Sequence, residues 1–144
     1  MKRWSRTIAS GISGKKINSC GGTMSGIIRP EDRVYVAKGW GYEDWLYNGI
    51  YCGKILFIKR GKKCSWHYHD IKDEVIHCQS GAIEMLFGDD DDIEKAQKVV
   101  MKSGDSFRVQ PGLRHQMIAL EDAVLFETST HHEDSDSIRV IKGD

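Results

Sequence analysis

Two histidines one residue apart, a glutamate a short turn later and a third histidine much further on form the most chemically informative pattern in this chain. His67 and His69 in the segment GKKCSWHYHDIKDEVIHCQSG share one face of any strand they occupy, because side chains alternate with period two. Glu74 follows five residues after His69, enough for the chain to turn and bring its carboxylate back beside the imidazoles on a neighbouring strand. Within GDSFRVQPGLRH, a strand and a tight Pro-Gly turn lead to His115. Three imidazole nitrogens and one carboxylate oxygen make a mixed donor set for one divalent transition metal ion, namely Fe, Mn, Ni, Co or Zn. Such a set leaves coordination positions for water or substrate. Any one of these histidines alone reads as an ordinary strand or turn residue; the joint spacing points to a metal.

Short strands must carry these residues. Runs at 34–36, 55–58 within YCGKILFIKRG, 63–69, 74–78, 82–87, 99–101, 106–109, 116–119 and 123–127 are separated by Gly, Asp or Pro, the pattern of a sandwich or barrel. Ile76 and Cys78 share the parity of Glu74, whereas Val75 and His77 point the other way. Trp66 and Tyr68 oppose the histidines in parity and are expected on an outer surface or a dimer interface. Residues 38–49, rich in aromatic side chains, read as turn structure leading into YCGKILFIKRG. DDDDIEKAQKVV reads as a long hairpin excursion with an acidic tip rather than a helix, and its aspartates lack the spacing of a calcium loop. Residues 9–30 are rich in Gly and Ser, cannot sustain a helix and read as an extended arm or short edge strands.

Composition sets the outer bounds. The chain has 144 residues, 40% of them hydrophobic, enough for one globular core and too many for general disorder. No apolar run approaches membrane length, and the opening MKRWSRTIASG lacks the apolar stretch of a signal peptide, so a cytoplasmic protein without membrane contact is expected. Residues 1–72 carry 14 Lys/Arg and 5 Asp/Glu, and residues 73–144 carry 7 and 16. Halves of +9 and −9 fit no uniformly basic nucleic-acid binder. Cys20, Cys52, Cys64 and Cys78 show no metal-binding spacing and read as small, semi-apolar residues.

The pattern resembles the cupin superfamily. Gly61, His67, His69, Glu74 and Gly81 meet its first motif, and Gly104, Asp105, Gly112 and His115 its second. Pro111 sits one residue later than the family's proline and Ala119 replaces its usual asparagine, departures that touch the turn and the outer pocket rather than ligation. The resemblance implies an all-β double-stranded β-helix, the jelly-roll barrel, open at one end around a metal held by His67, His69, Glu74 and His115. It divides the chain into an arm at 1–33, a barrel at 34–130 and a closing segment of the same domain at 131–144. It also implies a homodimer, in which the Gly-rich arm pairs with a partner's sheet.

The flanks at 39–48, 51–61 and 127–140 are similar to small cupins grouped with mannose-6-phosphate isomerase. That likeness implies a sugar or sugar phosphate as substrate and aldose–ketose isomerisation through a metal-stabilised enediolate, with a base moving a proton between C1 and C2. Glu127 and Glu84 are the candidate proton-transfer groups. Lys54, Arg108 and Arg114 are candidates for neutralising a phosphate or sugar acid. Trp40, Tyr42, Trp45, Tyr47 and Tyr51 read chiefly as packing, with a sugar-stacking wall as the alternative, and His131 and His132 read as a surface turn. The same ligand set also serves a mononuclear iron dioxygenase, a metal-dependent epimerase or lyase, or a noncatalytic sugar-binding module.

Overall fold

The structure, a computed structural model, describes residues 26–144. Most of the expected arm therefore lies outside the described residues; within them, residues 26–29 lead into a single 3-10 turn at Pro30–Asp32. Eleven strands follow: β1 (Val34–Lys38), β2 (Gly41–Asn48), β3 (Tyr51–Ile58), β4 (Trp66–Tyr68), β5 (Glu74–Ser80), β6 (Ala82–Gly88), β7 (Gln97–Lys102), β8 (Ser106–Val109), β9 (Arg114–Ala119), β10 (Ala123–Thr130) and β11 (Ile138–Ile141). They form two antiparallel sheets, ordered β1-β2-β3-β10-β5-β8 and β11-β4-β9-β6-β7. After β3 the chain changes sheet at every connection except β6–β7. This all-β, two-sheet arrangement is the one expected of a cupin-like chain.

Alternation along the strands builds the core. Leu56 and Ile58 of β3, Ile76 and Cys78 of β5 and Leu125 of β10 face Ile83 and Met85 of β6 and Met117 and Ala119 of β9. Cys52, Cys64 and Cys78 are buried free thiols, consistent with their reading as semi-apolar residues.

Two readings need correction. Residues 41–48 form strand β2 rather than a turn, because its backbone pairs with both β1 and β3, and that pairing overrides the local Gly and Asn signals. Trp66 is fully buried instead of lying on a surface, its indole Nε1 donating to Asp91 O at 3.1 Å. Asp91 belongs to the acidic excursion between β6 and β7, which is a hairpin as expected.

Candidate metal centre

β4 and β9 lie side by side with His67 opposite His115, so both rings leave the same face of the second sheet. His69 follows the end of β4, where its carbonyl accepts from Gly112 N at 2.7 Å and ties the loop to the Pro111-Gly112 turn. Gly112 adopts φ +84 there, a left-handed conformation that glycine reaches without steric cost. Glu74 opens β5 on the opposite sheet. Potential ligand atoms of His67, His69 and His115 all lie within 4.8 Å of one another.

Hydrogen bonding sets the direction of the rings. The Nδ1 atoms of His67, His69 and His115 lie 3.0, 2.9 and 3.2 Å from the carbonyl oxygens of Ser65, Asp136 and Leu113. A carbonyl only accepts, so each Nδ1 carries a proton and donates, and in a neutral ring Nε2 then presents a lone pair. Burial pushes the His67 ring well below its ordinary pKa, with the neighbouring His115 acting the same way, and burial likewise lowers His69. His115 Nε2 is buried without a hydrogen bond although Glu74 Oε1 is only 3.0 Å away. A lone pair set against a carboxylate oxygen is a costly arrangement that a cation between them resolves. The cluster is therefore a buried, histidine-rich site suited to a divalent metal ion.

A chain of alternating charges extends from this site. Lys72 Nζ lies 2.5 Å from Glu74 Oε2 and 2.5 Å from Glu127 Oε1, Lys54 Nζ lies 3.8 Å from Glu127 and 3.4 Å from Glu43, and Lys38 lies 3.2 Å from Glu43. Burial alone would raise the Glu74 carboxyl, but the Lys72 ammonium beside it holds it well below the usual carboxylate range. Glu127 moves the other way. Its burial, reinforced by the charge of Glu74, outweighs both lysines and raises its pKa.

All of these groups line one cavity of about 330 Å³. Of the residues singled out in the sequence, the structure brings together there His67, His69, Glu74, His115, Glu127 and Lys54. It does not bring Glu84, Arg108 or Arg114. Ile83 and Met85 occupy the core side of β6, so Glu84 faces away from the cavity. Arg108 is paired with Asp73 at 2.6 Å on the surface. Arg114 pairs with Asp91 at 2.8 Å and sits over the Tyr68 ring at 3.9 Å. Lys54 is buried in the network rather than free to meet an anion. Arg139, opposite His67 on β11, and Lys142 line the cavity with no carboxylate partner among the described residues.

Lys72, Arg139 and His132 are absent from the sequence-based set. His132, expected on a surface turn, is buried beside the cavity with its ring edge-on to Trp45 at a centroid distance of 4.8 Å, and Asn48 holds its backbone on both sides. Trp40 also lines the cavity, while Tyr42 stacks on Phe57 and Tyr47 packs against Tyr51.

The cupin domain model matches residues 55–129, just over half of the chain. The chain belongs to the cupin family. No curated protein matches it in sequence. Among solved structures, this cupin is similar to KdgF from Halomonas sp., at 16% identity and TM-score 0.64, over 78% of this chain and 98% of that one. It is also similar to the capsular polysaccharide assembling protein CapF from Staphylococcus aureus, at 16% identity and TM-score 0.66, over 74% of this chain and 32% of CapF. Oxalate decarboxylase from Bacillus subtilis gives 17% identity and TM-score 0.67, over 83% and 33%. The chain thus spans about a third of the length of CapF and of the decarboxylase. At these identities the likeness concerns the fold.

Proposed function

We propose that this cupin is a metal-dependent enzyme acting on a small sugar or sugar phosphate, and that it catalyses proton transfer between adjacent carbons in aldose–ketose isomerisation. One observation carries the reading: the histidine cluster and the Glu127 carboxylate, which is kept apart from that cluster by Lys72, line the same cavity. A divalent ion held by His67, His69, Glu74 and His115 supplies Lewis acidity that draws charge onto a substrate carbonyl oxygen. Glu127, ionised, takes the proton from the carbon next to that carbonyl and returns it to the former carbonyl carbon, while the hydroxyl proton on that neighbouring carbon passes to the former carbonyl oxygen. Its raised pKa makes it a stronger base than an ordinary carboxylate. Lys72 and Lys54 hold its orientation.

A cavity of about 330 Å³ suits a small molecule. Arg139 and Lys142 are the cations placed to meet a phosphate or carboxylate, the role expected of Lys54, Arg108 and Arg114. CapF's description as a capsular polysaccharide assembling protein agrees with a sugar-related substrate.

The test is anaerobic incubation of the protein, loaded in turn with Fe, Mn, Ni, Co and Zn, with aldoses, ketoses and their phosphates in deuterated water. The expected outcome is isomer formation with deuterium entering at the carbon beside the carbonyl. Glu127→Gln should lower that rate about 10²–10⁴-fold with the metal still bound, whereas His67→Ala and His115→Ala should lose the metal. A strict requirement for O₂ would sink the proposal in favour of a dioxygenase. Saturable sugar binding without turnover, whichever metal is loaded, would make the chain a binding module.

A further inference from the structure

Lys72 comes from the loop between β4 and β5, and its side chain is only 3% exposed. Burying and ordering a long cationic side chain is costly, so its position needs a cause. The two oxygens of Glu74 have different partners: Oε2 is taken by Lys72 at 2.5 Å, while Oε1 faces His115 Nε2 at 3.0 Å and His69 Nε2 at 3.7 Å. The lysine starts from a fixed backbone, because the amides of Asp70, Ile71 and Lys72 all donate to the Asp136 carboxylate.

We propose that Lys72 is a positioning residue of the metal centre, holding Glu74 Oε2 away from the ion so that this carboxylate offers one oxygen and not two. The inference rests on the metal-centre reading above and adds to it a determinant of how many positions stay open. Carboxylates bind metal ions through one oxygen or both. Freed from Lys72, Glu74 can present both oxygens, and the second displaces a coordinated water from a position that substrate would use. A lysine serving only to neutralise Glu74 and Glu127 would affect stability and leave the hydration of the ion unchanged.

The test compares wild type, Lys72→Met, Glu127→Gln and Lys72→Met/Glu127→Gln, each as the full chain loaded with Mn²⁺, by metal stoichiometry and by water-proton relaxivity of the bound ion. Lys72→Met strands two buried carboxylates, which can prevent folding. The double variant removes the surplus charge and carries the same expectation. Relaxivity should fall by the share of one coordinated water in every folded variant lacking Lys72 and stay at the wild-type level in Glu127→Gln. Unchanged relaxivity in the Lys72 variants overturns the role of Lys72 while the metal centre stands. Loss of Mn²⁺ binding in a folded double variant also overturns it, since Lys72 would then be needed for the ion to bind at all. A wild-type chain that takes up none of Fe²⁺, Mn²⁺, Ni²⁺, Co²⁺ and Zn²⁺ overturns the metal reading and this inference together.

Discussion

Glu127 and Glu74 are chemically identical side chains set apart by their neighbours. One lysine touches both, yet the depressed Glu74 stays ionised over the working range while the raised Glu127 gains its charge only above the usual carboxylate value of 4.5. If Glu127 is the base, kcat/KM rises with pH through that raised pKa, and the acidic limb lies above pH 4.5. A pH–rate profile checks this, and the limb should vanish in the residual activity of Glu127→Gln. The sequence held the clue to Glu127, which continues the buried parity of Ala123 and Leu125, as Lys54 continues that of Cys52, Leu56 and Ile58. A charged residue on the apolar side of a strand is a cavity residue in waiting. The same logic argues against Glu84, whose neighbours Ile83 and Met85 take the core side. Lys72, His132 and Arg139 had no comparable signal, because their positions depend on where distant segments fold back.

At the scale of elements, the site depends on a loop that regular secondary structure does not support. Residues 69–73 connect the two sheets, and Asp136, in a 3-10 turn far along the chain, holds them. Its carboxylate takes three successive amides and its carbonyl takes the His69 Nδ1 proton. Asp136→Ala is expected to cost about 1–3 kcal/mol of stability for the lost charged acceptor. It should also weaken metal binding about 10–100-fold, the usual range for a partner that orients a ligand. Urea denaturation and metal titration measure the two effects separately; a stability loss with unchanged metal affinity would show that Asp136 merely closes a loop. Local spacing made His67, His69, Glu74 and His115 legible because each lies on or beside a strand. The 3-10 turn that orients His69 lies 67 residues away from it in sequence and was not legible.

At the scale of the whole molecule, the basic and acidic halves of the sequence interleave among the described residues. β10, from the acidic half, lies between β3 and β5, so Lys54 meets Glu127 across neighbouring strands and the opposite charges pair inside the protein. Acid should therefore act on the interior. Burial and the nearby lysines push His132 down to about 4, so between there and its ordinary 6.5 the unfolded chain binds a proton that the native chain refuses. Stability falls as pH drops through that window, and His132→Asn should flatten the slope, as read from urea midpoints at successive pH values. An unaltered slope in the variant would assign acid sensitivity to other groups. His67 and His115 stand on one sheet, whereas Glu74 stands on the other. An ion held by all of them is a staple across the seam of the sandwich, in place only in the folded state. At free ion a hundred times its dissociation constant, such a staple adds about 2.7 kcal/mol. The melting temperature of this protein is then a property of the buffer as well as of the sequence.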